Sequence, residues 1–144
     1  MLTRFLTALS IFLLFTACQS DNILYLDENG ITLKARPGVL AGEKAIIDGI
    51  EYTVVDSSML YSMVDSGKDV TKVITTLITN MSELFVGQYD FNQDISSWDV
   101  SNVSNMNAMF GKYLGENENP KYYLFNQDIS NWDVKRVTRM GGMF

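Results

Sequence analysis

Histidine is absent from the 144 residues, and cysteine occurs once, at Cys18. Without His the chain lacks the commonest general base at neutral pH and the commonest neutral metal ligand. A single Cys excludes an intramolecular disulfide and a cysteine metal cluster. Basic residues number 11 against 17 acidic ones, for a net charge of −6 and a pI near 4.5. That balance argues against nucleic acid, which needs a basic footprint. The apolar run at residues 5–15 is too short to span a bilayer. What is present, 47% hydrophobic and 19% charged residues, is the composition of a folded chain. Its length suits one compact body or a short repeat array.

The stretch FNQDISSWDVSNVSNMNAMF, residues 91–110, recurs as FNQDISNWDVKRVTRMGGMF at 125–144. The copies differ at seven of twenty positions, none of them a large apolar residue. Ile95, Trp98, Val100, Val103, Met106, Met109 and Phe110 return as Ile129, Trp132, Val134, Val137, Met140, Met143 and Phe144. A degenerate copy at 70–85 keeps the frame in Val70, Val73, Ile78, Met81, Leu84 and Phe85, with polar Thr75 at one inner position. Between the second and third units lies an insertion, residues 111–124, rich in polar turn residues.

The frame reads I-x-x-W-x-V-x-x-V-x-x-M-x-x-M-F. Its W-x-V pair has the period of a very short strand, and the V-x-x-M-x-x-M-F tail has the spacing of one or two helical turns. Ser101, Ser104 and Thr138 are candidate caps for those turns. A unit of this size cannot bury its apolar face alone, which predicts that units stack around one core. The expected fold is therefore an α/β solenoid, a stack of short parallel strands and short helices, with the Trp and Met side chains inside.

Residues 1–17 read as a signal peptide: Arg4, an apolar run, then small residues before Cys18. The sole Cys stands where a bacterial lipobox carries its acylated Cys, and Phe15-Thr16-Ala17-Cys18 resembles that box. Lipidation at Cys18 is expected, with 18–22 as a tether. An ordinary secretory signal cut near Ala17 is the alternative. Residues 23–67 predict a small N-terminal cap of β-hairpin and helix. Ile31, Leu33 and Ala35 alternate as a strand, Asp48-Gly49 marks a hairpin, and 57–64 suit a helix between Asp56 or Ser57 and Gly67. Residues 68–144 hold the three repeats. The array either continues past Phe144 or tucks that residue back, since an uncapped repeat edge favours aggregation.

The motif I-x-x-W-x-V-x-x-V follows the leucine-rich-repeat frame, with Val103 and Val137 where that frame has Asn or Cys. Its wording, FNQDISxWDV-xx-V-xx-M-xx-MF, resembles the BspA-like leucine-rich-repeat surface proteins, the DUF285 repeat family, over residues 70–144. The resemblance implies a surface or secreted bacterial protein that acts by binding, often as an adhesin. It implies neither a catalytic residue nor a cofactor.

In that frame the residues between the strand apolars face outward: Lys72, Ile74 and Thr76; Ser97, Asp99 and Ser101; Asn131, Asp133 and Lys135. With Arg136, Arg139 and the insertion tyrosines Tyr113, Tyr122 and Tyr123 they form the candidate binding surface. Asp94, Asp99, Asp128 and Asp133 suit turn bonding; calcium held by Asp99 and Asp133 is the competing reading. Three functions stand against one another. The first is a lipid-anchored protein at the outer membrane or cell surface that binds a host or cell-surface protein or a glycan. The second is a spacer without a ligand. The third is a hydrolase using Asp94 and Asp99, which the recurrence of that pair in each full unit disfavours, since catalysis needs one pair in one cleft.

Overall fold

A computed structural model describes residues 22–111 and 123–144. Strand β1, Leu24–Leu26, and strand β2, Leu33–Ala35, form an antiparallel pair with Leu24 opposite Ala35. The connecting turn is built by Asn29, whose Oδ1 accepts from the amides of Ile31 and Thr32, both at 2.9 Å. Strands β3, Lys44–Ile47, and β4, Ile50–Val54, pair antiparallel around Asp48-Gly49. Both loop residues have positive φ, 51° and 80°, the conformation of a tight two-residue hairpin that matches strand twist. Helix α1, Ser57–Asp65, starts where the Asp56 side chain accepts from the Met59 amide. It ends with Gly67 at φ 64°; the Gly67 amide donates to Val64 and the Lys68 amide to Met63, closing the last carbonyls. These local signals were legible, because each turn is decided by residues adjacent in sequence.

The expected α/β solenoid does not form. The two sheets, β1–β2 and β3–β4–β5, are mostly antiparallel; only β4 against β5, Val73–Ile74, is parallel. The single helix among the described residues, α1, precedes the repeats. Beyond β5 the described units contain neither a named strand nor a helix. Their apolar spacing of three comes from successive tight turns. Trp98 donates its amide to the Ile95 carbonyl, Val103 to Val100 and Met109 to Met106, and in the third unit Trp132 to Ile129 and Val137 to Val134. A residue of left-handed φ sits at the same place in each unit, Glu83 at 60°, Ala108 at 49° and Gly142 at 59°. That conformation interrupts a right-handed helix before it can propagate.

Units touch through isolated parallel bridges, Asn80 to Asn105 and Asn105 to Arg139. The backbone bonds at these junctions run both ways: the Ser104 amide donates back to the Thr79 carbonyl and the Thr138 and Arg139 amides to the Ser104 carbonyl, while three bonds per junction run forward. Met81, Glu83 and Phe85 amides donate to Asn105, Asn107 and Met109 carbonyls; Met106, Ala108 and Phe110 amides donate to Arg139, Gly141 and Met143 carbonyls. Each indole reaches back one unit as well, Trp98 Nε1 to the Val70 carbonyl and Trp132 Nε1 to the Ile95 carbonyl. Both Trp side chains are buried, as their recurrence predicts. The polar tip is satisfied while the ring fills the core. Phe85 stacks on Phe110 and Phe110 on Phe144, with centroids 4.9 and 5.4 Å apart. The main core joins α1 through Leu60 and Val64 to Phe85, Trp98, Met106 and Phe110. A smaller core under the β1–β2 pair holds Leu24, Leu33, Ala35, Val39, Val54 and Ile74.

Candidate binding surface

The carboxylates of the repeats close turns. Oδ1 of Asp69, Asp94 and Asp128, equivalent positions in the three units, accepts from the amides of Thr71, Ser96 and Ser130 at 2.8 to 3.0 Å. Asp99 and Asp133 do the same for Ser101 and Lys135. Turn bonding is thus the use found for Asp94, Asp99, Asp128 and Asp133. The Ser96 hydroxyl and amide hold the Asp94 carboxyl below its ordinary 3.8. The Thr71 hydroxyl and amide do so for Asp69, and the Ser130 amide and hydroxyl for Asp128. The Lys34 ammonium lowers Asp27, and the Met59 amide lowers Asp56. Every described carboxyl with a resolved shift moves down, which keeps it ionised. That is the reverse of what a general acid needs.

The outward positions of the second unit are covered by the chain itself. The β1–β2 pair lies over them: the Leu33 amide donates to the Ser97 carbonyl, and the Ala35 amide donates to Thr76 Oγ1 at 3.0 Å. Asp99 is only 2% exposed, and Ile74 is 1% exposed. The expectation that Asp99 and Ile74 face solvent is therefore corrected; strand alternation turns them away from the main core, but into the smaller one or beneath the hairpin. Ser97 and Ser101 are half-buried. Lys34 enters from β2, its Nζ 2.9 Å from Asp27 and 3.9 Å from Asp99. Burial opposes the charge on Lys34, yet the hydrogen bond to Asp27 and the Asp99 carboxylate outweigh it and raise its pKa. Sequence reading missed Lys34. Its place between the inward Leu33 and Ala35 was the available signal.

Among the described residues, none covers the third unit in this way. Asn131 is half-buried, and Asp133, Lys135, Arg136 and Arg139 are exposed. Lys135 Nζ lies 3.5 Å from Asp133, and Arg136 donates to Asn102 Oδ1 at 3.1 Å. Asp99 and Asp133, the candidate calcium ligands, each face a lysine of this chain. Among the described residues no group of three or more His, Cys, Asp or Glu could hold a metal ion. Tyr123 is half-buried; its hydroxyl accepts from the Gly87 amide and donates to the Gly111 carbonyl, and its ring lies 5.0 Å from that of Tyr89. Cys18, Tyr113 and Tyr122 lie outside the described residues, as do residues 1–17 and most of the insertion. No described helix is long and apolar enough to cross a membrane.

A family model described as "Mycoplasma protein of unknown function, DUF285" matches residues 56–144, more than half of the chain. No curated protein and no solved structure matches.

Proposed function

Because the chain belongs to the DUF285 family, and its third unit presents an exposed polar and basic surface, we propose a binding protein without catalytic activity. It is exported to the bacterial surface, held by lipid on Cys18, and takes an anionic protein or glycan partner at the third unit. The observation that supports this reading is the contrast between equivalent positions. Asp99 is covered by the β1–β2 pair, whereas Asp133, Lys135, Arg136 and Arg139 are exposed on a chain of net charge −6. A local basic patch in an acidic protein directs an anionic partner to that end and repels it elsewhere. Against a hydrolase stand the lowered carboxyls and their use in turns repeated from unit to unit. A spacer without a ligand would leave the same patch idle.

The test starts with a screen of acidic glycans and surface proteins against the soluble chain from Gln19. Association kinetics of the wild type and the Lys135→Glu, Arg139→Glu double variant are then compared at low and moderate salt. The variant should associate more slowly and lose most of the salt dependence. Equal rates at both salt concentrations would remove the basic patch from the reading.

A further inference from the structure

A cleft of about 370 Å³ lies between the end of α1 and the short linker that joins the first unit to the second. Lys68 lines it on the helix side, and Gln88, Tyr89, Asp90, Phe91 and Asn92 line it on the linker side. Small-molecule sites run from roughly 300 to 1,000 Å³, so this one suits a ligand of one or two rings and not a folded partner.

The walls are held in place by the chain itself. Gln93 ties the two sides together: its Oε1 accepts from the Val70 amide at 2.7 Å, and its Nε2 donates to the Lys68 carbonyl at 2.9 Å. The linker is closed by the Gln88 amide on the Phe85 carbonyl and the Phe91 amide on the Gln88 carbonyl. The Phe91 ring stacks on Phe85 at 4.1 Å, and the Tyr89 ring lies 5.0 Å from that of Tyr123. Gly67 and Gly87 also line the cleft and add no side chain to fill it. Walls fixed in advance lower the ordering cost of binding.

Several polar groups here serve no turn. Asp69, Asp94 and Asp128 each accept from an amide two residues on. Among the described residues, the side chains of Lys68, Gln88 and Asp90 take part in no hydrogen bond or ion pair. Asn92 spends its Oδ1 on the Asn126 amide and on Gln127 Nε2, both at 2.9 Å, and keeps its Nδ2 donors.

We propose that this cleft binds a neutral sugar residue of a glycan. Charge decides the class: Lys68 repels a cation and Asp90 repels an anion, so a ligand without net charge fits both. Each sugar hydroxyl donates and accepts at once. The ammonium of Lys68, the carboxylate of Asp90 and the carboxamides of Gln88 and Asn92 supply both functions around one space. The Tyr89 and Phe91 rings offer apolar surface to the C–H face of a pyranose. A wholly apolar ligand would strip these polar groups of water and return no hydrogen bond. The site uses no residue of the third unit, so it goes beyond the reading above and is tested apart from it.

The probes are the methyl glycosides of glucose, galactose, mannose and N-acetylglucosamine, followed by saturation-transfer NMR on the soluble chain from Gln19. N-acetylneuraminic acid serves as the anion and free L-alanine as the zwitterion. At least one neutral glycoside should bind saturably. Asp90→Ala, at an exposed side chain without a partner, should leave the melting temperature unchanged and weaken that binding about tenfold, as loss of a hydrogen bond to a charged group does. Gln88→Ala should weaken it as well. The Lys135→Glu, Arg139→Glu double variant should bind the glycoside as the wild type does. Absence of binding by all four glycosides, binding of the anion or the zwitterion alone, an unaffected Asp90→Ala variant, or loss of binding in the double variant would each overturn the proposal.

Discussion

Lys34 Nζ lies 3.9 Å from Asp99 Oδ1, and this contact ties the β1–β2 pair to the second repeat. Asp99 Oδ2 has no partner among the described groups and Asp99 is 2% exposed, so Lys34 is the main neutralising charge beside it. Removing that charge leaves a buried carboxylate without its counter-ion. Lys34→Ala should cost about 3 kcal/mol, the scale of a broken buried pair. Lys135→Ala, which breaks an exposed pair with Asp133, should cost close to nothing. Urea unfolding of the two variants checks the contrast, and equal midpoints would show that Lys34 does not hold the hairpin down.

The left-handed residue in each unit makes an asymmetric prediction. Gly142 occupies φ 59° without strain, whereas Ala108 holds φ 49° with a Cβ. Gly142→Ala should destabilise by about 1 kcal/mol, while Ala108→Gly should be neutral or stabilising by less than that, since added freedom in the unfolded chain offsets the relief. Thermal unfolding of both single variants decides it. A loss of stability from Ala108→Gly as large as that from Gly142→Ala would mean that the conformation carries no strain at Ala108.

The same residues show what a sequence can disclose. Asp48-Gly49, Asp56 and Gly67 were legible because a turn or cap is chosen by its own side chains. Recurrence of Trp98 and Trp132 disclosed burial, because an apolar frame kept between copies reports a core. The solenoid was misread because a spacing of three belongs to tight turns as well as to helices. Only the backbone at Glu83, Ala108 and Gly142 separates the two, and Glu and Ala do not advertise positive φ. The cover over Asp99 was hidden for another reason. It is formed by residues some 65 positions upstream, and neither periodicity nor propensity encodes which face a distant hairpin will choose.

Acid should unfold the protein through the turn carboxylates. Asp69, Asp94 and Asp128 titrate below their unfolded value of 3.8, lowered by the hydroxyls and amides of Thr71, Ser96 and Ser130. A depressed folded-state pKa contributes stability that is complete above the unfolded value and is lost as pH falls through the folded one. The melting temperature should therefore stay level from about pH 7 to about pH 5 and fall below about pH 4. Asn at these three sites keeps the accepting oxygen without the titration, as Asn80 and Asn105 already do. The triple Asp→Asn variant should lose part of the acid dependence. An identical acid profile would place the loss in other groups.

In the proposed reading, anchoring rests on Cys18, the only cysteine, which follows the apolar run at 5–15 and the small pair Thr16-Ala17. The net charge of −6 is repelled by an anionic leaflet, and no described helix can span. Each acyl methylene adds about 0.8 kcal/mol of membrane affinity, and one chain holds only marginally, so stable anchoring needs more than one chain on this residue. Cys18→Ser should move the protein from the membrane to the soluble fraction, while the described part from β1 onward should melt at the same temperature. Mass spectrometry of the wild type should find acyl groups on Cys18. A variant that stays with the membrane, together with an unmodified Cys18 in the wild type, would return the segment to an ordinary secretory signal and leave a free thiol or none.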